Sequence, residues 1–199
     1  MKLSILVCTM PERSIMFNAL YNKISKQIEK FNENEVEILS NNRLDITTGE
    51  KRNLLITESV GDFIVFVDDD DDVYDYYVEE ILNAINQNNN VDCIGINGII
   101  TFNGQNERKW FISKEYKHWH EIADIYYRTP NHISPIRRSI AISTPFPNQH
   151  HGEDFAFSMA VLPHLQNEIK IEKPLYHYQS RATLNPHIEN GAPYRPAWR

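Results

Sequence analysis

The stretch Phe63–Tyr74 reads FIVFVDDDDDVY, so five apolar residues run directly into five consecutive aspartates. The apolar part shows no alternation with polar residues, which is typical of a strand that is covered on both faces. Two carboxylates about 4 Å apart repel each other by roughly 1 kcal/mol in water and by several times that near a protein surface. The aspartates must therefore be well solvated or lie beside compensating positive charge.

Short apolar runs alternate with helical patterns around this strand. Strands are predicted at 3–7, 36–39 and 63–67, and helices at 16–31, 49–59 and 76–85. Thr9 is a candidate helix cap, because Pro11 follows it in what would be the first helical turn. This order predicts an α/β fold with a mostly parallel central sheet flanked by helices. In such sheets ligands bind beyond the carboxyl ends of the strands, which is where Asp68–Asp72 lies.

The second half of the chain has more β character. An Asn-Gly pair within NGQNER, residues 103–108, predicts a hairpin between strands at 93–102 and 109–113. A further β-rich run covers 122–127, a helix is predicted at 153–165, and late strands are predicted at 169–171 and 175–178. The last stretch, 185–199, contains three prolines and shows no periodicity, so we expect an extended tail there.

The length and the net charge of the chain favour some classes of protein over others. At 199 residues the chain has the size of one domain with a single sizeable core. Its net charge of −7 disfavours broad nucleic-acid binding, because affinity for a phosphate backbone comes from many Lys and Arg side chains. The apolar run at 3–7 is too short for a secretory signal or a membrane span. We therefore expect a cytoplasmic protein without a membrane span, in which Cys8 and Cys93 stay reduced and buried.

The aspartates are candidate metal ligands. In an extended segment side chains alternate, so Asp68 and Asp70 are expected on one side and Asp69 on the other. One such pair can hold Mg²⁺ or Mn²⁺, which prefer oxygen ligands and take the rest of their shell from water and substrate phosphates. A solvated acidic loop is an alternative, and so is an EF-hand calcium loop. The EF-hand fits poorly, because Val73 stands where that loop needs glycine, and a strand rather than a helix precedes it.

A second acidic pair lies in HHGEDFAF, residues 150–157. Gly152 permits a tight turn, and Glu153 and Asp154 fall in the first turn of a predicted helix. Acidic residues at that position can act simply as helix caps, which is one interpretation of the pair. The two preceding histidines could indicate a hydrolytic metal site, but no third ligand follows at a suitable spacing.

Three segments occur in the order KLSILVCTMPERS at 2–14, TGEKRNLLITESVGDFIVFVDDDDDVYDYYVEEI at 48–81, and GEDFAFSMAV at 152–161. Together they resemble family-2-like glycosyltransferases of the GT-A fold, a Rossmann-like fold of nucleotide-diphospho-sugar transferases. Within the second segment, SVGDFIVFVDDDD at 59–71 resembles the stretch that carries the family's metal-binding Asp-x-Asp motif. The resemblance covers roughly residues 1–85 and 150–180.

The resemblance implies a single GT-A domain over residues 1–184. Its nucleotide-sugar-binding half would be 1–90 and its acceptor-binding, catalytic half 91–184, with the tail at 185–199 outside the domain. Such a domain binds a nucleotide sugar and an acceptor that carries a hydroxyl group. The resemblance leaves the acceptor and the oligomeric state open.

The resemblance also implies roles for individual residues. Asp70 would coordinate the metal that bridges the donor diphosphate, and Asp68 would contact the metal or the ribose. Asp154 would be the catalytic base, with Glu153 in support. His177 is a candidate extra metal ligand. The remaining candidates for binding the nucleotide sugar are Thr9, Arg13, Asn42, Lys51, Arg52, Asp69 and Arg181.

The chain departs from the family after the second strand, where many members carry an acidic residue and this sequence reads SNNR. Asn42, or its neighbour Asn41, could hydrogen-bond the base or ribose instead, and Asp45 is a possible substitute. Further candidates for contacts with donor or acceptor are His132, Arg137 and Arg138.

The activity implied is that of a metal-dependent inverting glycosyltransferase. It would use Mn²⁺ or Mg²⁺ and move a hexose from UDP-glucose or a related UDP-hexose to an acceptor hydroxyl, with Asp154 receiving the hydroxyl proton. A nucleotidyltransferase of similar fold is an alternative, but it should begin with a glycine-rich phosphate loop, and CTMPERS at 8–14 has no glycine. A non-catalytic nucleotide-sugar or calcium-binding module is another alternative, although it would not need Glu153 and Asp154.

Overall fold

The computed structural model describes residues 1–88 and 90–181. These residues form one sheet with helices on both faces, so the predicted α/β class is confirmed. The predicted tail at 185–199 and the domain boundary at 184 lie outside the described residues. The helices are α1 Ser14–Ile28, α2 Thr48–Glu58, α3 Tyr77–Gln87, α4 Arg138–Ser143 and α5 Glu153–Val161. The strands are β1 Leu3–Cys8, β2 Val36–Asn41, β3 Phe63–Phe66, β4 Asp72–Val73, β5 Cys93–Phe102, β6 Gln105–Ile112, β7 His120–Ile122, β8 Ile125–Arg128, β9 Ile136–Arg137 and β10 Glu168–Ser180.

The first three strands form a parallel unit. β1 lies between β2 and β3 and is parallel to both, with Leu3 beside Val36 on one side and beside Phe63 on the other. The carboxyl ends of these strands therefore meet at one edge of the sheet. Beyond β3 the short strand β9 runs antiparallel to both β3 and β5. β10 is parallel to β5 and pairs near its end with β4, so it returns to the segment that contains the aspartates.

β3 is buried on both faces, which explains why its sequence lacks polar alternation. Phe63 and Val65 pack into one apolar cluster with α1 and α3. Ile64 and Phe66 pack into a second cluster with α2, α4 and α5 on the opposite face. Asp68 is the first polar residue after this strand, and it leaves the core at the carboxyl edge of the sheet.

Two tight turns build the second half of the chain. Asn103 and Gly104, with φ of 50° and 76°, join β5 to β6. This confirms the predicted hairpin, whose loop has only two residues. The β-rich run at 122–127 is a hairpin rather than one strand, because Ala123 and Asp124 also have positive φ and turn β7 back into β8.

Two further expectations need correction. The late strands predicted at 169–171 and 175–178 are parts of the single strand β10, whose pairing with β5 shifts register on either side of Pro174. Proline lacks the N–H that a regular ladder requires, so it interrupts the pattern without ending the strand. Thr9 is not a helix cap, because the helical turn Pro11–Arg13 that leads into α1 follows Met10 and has no side-chain cap.

The helices of the described residues are all too short or too polar to cross a bilayer.

Candidate active site

The five aspartates lead from β3 through a turn into β4, whose first residue is Asp72, and this segment is called the aspartate turn, Asp68–Asp72. The N–H of Asp71 donates to the carbonyl of Asp68 at 3.1 Å, so the chain folds back instead of continuing extended. The expected alternation of side chains is therefore wrong, because Asp69 and Asp70 converge on one guanidinium. Arg13 Nη1 lies 2.9 Å from the Asp69 carboxylate and 3.3 Å from that of Asp70.

Asp69 anchors the end of β1. Its side chain is buried, and besides Arg13 it accepts a hydrogen bond of 2.8 Å from Thr9 Oγ1. Lys51 Nζ, in the first turn of α2, donates to the carbonyl of Thr9 at 3.0 Å. The structure thus brings together four residues that were predicted to bind the nucleotide sugar.

The start of α2 positions Arg52. A capping box between Thr47 and Glu50 defines the first turn of the helix. Gly49 packs so closely on the carbonyl of Pro147 that a Cβ at this position would lie 1.9 Å from the oxygen. α2 therefore begins against the segment that leads into α5, and Arg52 points its guanidinium toward that helix.

The guanidinium of Arg52 joins the two acidic motifs. Its Nη2 lies 3.3 Å from Asp68 Oδ1, and its Nε lies 3.4 Å from Glu153 Oε1. The side chain is buried and stacks on the ring of Phe66, 4.8 Å from the ring centroid. Its Nη1 is buried without a hydrogen-bond partner among the described residues. Two segments that are distant in sequence therefore form one site.

Asp68 is held in its ionised form. Its Oδ2 lies 3.1 Å from Nε2 of His132, a buried side chain that the sequence marked only as a weak candidate. Burial by itself would raise the pKa of Asp68, but His132 and Arg52 outweigh it and hold that pKa well below its usual range. Burial raises the pKa of Glu153, and the charge of Arg52 only partly offsets this. Of these two carboxylates, Asp68 stays charged and Glu153 takes up a proton more readily.

Asp154 lies in the first turn of α5, immediately after Glu153. Gly152, with φ of 76°, makes the turn into the helix and occupies the N-cap position without a side-chain cap. Asp154 is half-buried, and its Oδ1 accepts the N–H of Phe155 at 2.8 Å. Its Oδ2 has no hydrogen-bond partner in the described part of the chain. A capping role therefore accounts for only one of the two carboxylate oxygens.

Asp71 ties the aspartate turn to β10, a role that the sequence analysis missed. Its buried carboxylate accepts hydrogen bonds from the hydroxyl of Tyr176 at 2.8 Å and from the N–H of Gln179 at 2.7 Å. The same hydroxyl oxygen accepts the N–H of Asp68 at 3.1 Å. Burial and the charges of Asp68 and Asp70 raise the pKa of Asp71 well above its ordinary value. No local pattern indicates this contact, because Tyr176 lies 105 residues further along the chain.

Asp70, the predicted metal ligand, is partly buried in the aspartate turn. Burial and the charge of Asp68 raise its pKa, and the contact with Arg13 compensates for this only in part. Arg181 donates from Nη1 to the backbone carbonyl of Asp70, which places this predicted diphosphate ligand at the same turn.

Any metal ion at this site would take most of its ligands from substrate and water. Among residues 1–88 and 90–181, no three His, Cys, Asp or Glu side chains are grouped so as to enclose a metal ion. A Mg²⁺ ion bound with substrate phosphates needs only one or two protein carboxylates, because phosphates and water complete its shell. Asp70 and Asp68 supply two such carboxylates; in the structure Asp70 contacts Arg13, and the two oxygens of Asp68 contact Arg52 and His132.

His177 and Asn42 lie apart from this cluster. The imidazole Nε2 of His177 is 2.8 Å from Thr101 Oγ1, and burial lowers the pKa of the ring. In the backbone His177 pairs with Asp72, whose carboxylate binds Lys23. Asn42 is exposed just beyond β2, at the carboxyl edge of the sheet. Within the described residues, neither side chain makes a polar contact with the two candidate metal ligands.

The fold and the site define the class of protein: an α/β domain of the GT-A type with acidic motifs at the carboxyl edge of its sheet. The model of the family described as glycosyl transferase family 2 matches residues 21–144. The chain therefore belongs to that family. No curated protein sequence matches the chain.

Solved structures of S. aureus TarS have a similar fold. A crystal structure of its residues 1–349 shows 18% identity and a TM-score of 0.66, and the match covers 90% of this chain and 60% of that one. The same TarS segment in complex with UDP-GlcNAc matches with 18% identity and a TM-score of 0.66, covering 91% and 59%. Its complex with UDP matches with 19% identity and a TM-score of 0.69, covering 92% and 61%. This chain thus spans about 60% of the length of those structures.

Proposed function

We propose that the chain is a metal-dependent inverting glycosyltransferase that moves a hexose from UDP-glucose or a related UDP-hexose to an acceptor hydroxyl. The observation that carries the proposal is the position of Arg52, which contacts both Asp68 in the aspartate turn and Glu153 beside Asp154. This contact unites a candidate site for the donor diphosphate with a candidate base. The TarS complexes with UDP and UDP-GlcNAc support a UDP-linked donor.

The donor is proposed to bind in the nucleotide-sugar half, residues 1–90. The edge that Asp69 organises presents Arg13 and Lys51, and Arg181 joins it from the end of β10. These cations match the charge of a diphosphate. The N-terminus of α2, where the dipole favours an anion, lies at the same edge. Thr9 and Asn42 follow β1 and β2 at this edge and are the candidates for contacts with the base or ribose.

A divalent ion, Mn²⁺ or Mg²⁺, would be held by Asp70 and Asp68, with His177 as a further candidate. When bound, such an ion supplies positive charge that stabilises the departing diphosphate. The low pKa of Asp68 keeps this ligand charged over the whole physiological range of pH.

Asp154 is the proposed general base in the second half, residues 91–184. Its Oδ2 takes the proton of the acceptor hydroxyl while the hydroxyl oxygen forms a bond to the anomeric carbon. The bond from that carbon to the diphosphate oxygen breaks on the opposite face, so a single displacement inverts the configuration. Glu153 and Arg52 hold the start of α5 against the aspartate turn and so set the distance between base and donor.

The substitution Asp154→Asn tests this assignment. It should slow sugar transfer at least about 100-fold, the usual scale of general-base catalysis, and leave UDP binding intact. Transfer is measured as UDP released from UDP-glucose, and binding as thermal stabilisation by UDP with Mn²⁺. Asp124→Asn is the control, because Asp124 is exposed on the β7–β8 turn and pairs with Arg108. Loss of UDP binding in Asp154→Asn would indicate a structural cap instead.

A panel of UDP-glucose, UDP-GlcNAc, UDP-galactose and GDP-mannose, each with Mn²⁺ or Mg²⁺, tests the donor. We expect UDP sugars to raise the melting temperature and to release UDP slowly. If no nucleotide sugar stabilises the protein, the proposed function is wrong.

A further inference from the structure

Arg128, at the end of β8, is a half-buried cation without an ion-pair partner among the described residues. Its Nη1 donates to the carbonyls of His120 and Tyr127 at 3.1 Å and 3.0 Å. Its Nε and Nη2 have no hydrogen-bond partner in the described ranges, and they are not sealed from solvent. Burial lowers the pKa of Arg128, and the charges of Glu121 and Asp154 offset this only in part.

Ring contacts connect this cation to the helix that carries the proposed base. Its guanidinium stacks between the rings of Trp119 and Tyr126, at 5.0 Å and 5.1 Å from the two centroids. Trp119 also packs against Phe155 of α5, with ring centroids 5.3 Å apart. One indole therefore connects Arg128 to the helix turn that carries Asp154, whose charge acts on Arg128.

A neighbouring arginine, in contrast, has carboxylate partners. Arg108, on β6, also lies over the ring of Tyr126, at 5.9 Å. Arg108 forms ion pairs of 3.2 Å with both Glu121 and Asp124. The acidic residues of the β7–β8 hairpin thus form their ion pairs with Arg108, and Arg128 forms none with the described residues.

We propose that Arg128 binds an anionic group of the acceptor, a phosphate or a carboxylate, and thereby places the acceptor hydroxyl beside Asp154. The inference rests on the proposed function, since it assigns the acceptor class for the same site. A guanidinium that has lost part of its hydration gains most from an anion that accepts two parallel hydrogen bonds. Nε and Nη2 of Arg128 form such a pair of donors. The positive charge of Arg128 also offsets the repulsion between Asp154 and an acidic acceptor.

Binding of three hexoses to the UDP complex tests the proposal. Glucose 6-phosphate, glucuronate and glucose are titrated by calorimetry into the protein saturated with UDP and Mn²⁺, so that the donor site cannot bind the anions. We expect at least one anionic sugar to bind about tenfold or more tightly than glucose, the usual scale for a charge-assisted hydrogen bond. The order of the two anions distinguishes a phosphate acceptor from a carboxylate acceptor.

Three variants distinguish an effect of the positive charge of Arg128 from a purely structural role of its side chain. Arg128→Met should abolish the preference for anions, and Arg128→Lys should retain part of it. Arg108→Met, the matched control, should leave it unchanged. A purely structural role of Arg128 would lower the melting temperature of Arg128→Met without changing the ratio of the affinities, and that result would overturn the proposal.

Equal affinity of the wild-type protein for all three sugars would also overturn the proposal that Arg128 binds an anionic acceptor. Failure to bind UDP or to hydrolyse UDP-glucose would instead contradict the proposed function. The two failures are therefore distinguishable.

Discussion

Tyr176→Phe measures how strongly the hydroxyl of Tyr176 holds the aspartate turn in place. The hydroxyl donates to the carboxylate of Asp71 at 2.8 Å and accepts the N–H of Asp68 at 3.1 Å, and the residue is fully buried. The substitution keeps the ring and removes both hydrogen bonds. A buried polar group that loses its partner costs about 1–3 kcal/mol, and two groups lose one here, so we expect a loss of roughly 2–4 kcal/mol.

Tyr77→Phe is the matched control. Tyr77 is equally buried, but its hydroxyl has no hydrogen-bond partner among the described residues. Its removal should therefore leave the free energy of unfolding unchanged or raise it by up to about 1 kcal/mol. Urea unfolding followed by circular dichroism gives both values. In a domain of this size Tyr176→Phe should lower the melting temperature by roughly 5–15 °C.

UDP binding by the two variants provides a second comparison. Because Tyr176 holds the turn through Asp68 and Asp71, Tyr176→Phe should also weaken UDP binding in the presence of Mn²⁺, and Tyr77→Phe should not. Equal stability of the two variants would refute the reasoning that Asp71 is a structural residue bound to β10.

Three other predictions concern the site. Gly152→Ala and Gly104→Ala both place alanine at a φ of 76° and should each cost about 1–2 kcal/mol in urea unfolding. Only Gly152→Ala should also slow UDP release, because Gly152 directly precedes the acidic pair of α5; equal activity of the two variants would contradict this. Burial raises the pKa of Cys8 to about 11. Near pH 8 native Cys8 should therefore react with iodoacetamide on the order of 100-fold more slowly than in urea, where thiols have a pKa near 8.5, and peptide mass spectrometry measures the difference. Asp70→Ala should abolish the extra thermal stabilisation that Mn²⁺ adds to the UDP complex, whereas Asp124→Asn should retain it; a Mn²⁺ effect that survives in Asp70→Ala would exclude Asp70 as a ligand.

The regular elements of the first half were predictable because their signals are local. A strand buried on both faces reads as an unbroken apolar run, and a helix over a sheet repeats its apolar residues every three or four positions. β1, β3 and α3 were found in this way. The hairpin of β7 and β8 was not, because Ala123 and Asp124 adopt positive φ without the glycine that usually marks such a turn.

The site was only partly predictable. Arg13, Lys51 and Arg52 were indicated by the resemblance to a family, and the structure places them around the aspartate turn. Tyr176 and Arg128 were missed. The contact of Tyr176 with Asp71 joins residues 105 positions apart, and the ring contact that links Arg128 to α5 joins Trp119 to Phe155. Spacing along a sequence carries no record of such contacts.

The sequence alone predicts that a strand buried on both faces ends in five carboxylates at the carboxyl edge of the sheet, where ligands bind in α/β folds. Only the tertiary structure shows which partner each carboxylate has, because side chains in a turn do not alternate as they do in a strand. Asp69 is buried against Arg13, Asp71 is held by Tyr176, and Asp72 pairs with Lys23. These partners come from helices and strands on different sides of the turn. The repulsion among five like charges is therefore relieved by several separate contacts. Asp68 contacts Arg52 and His132, Asp70 contacts Arg13, and these two carboxylates are the ones proposed to bind a cation.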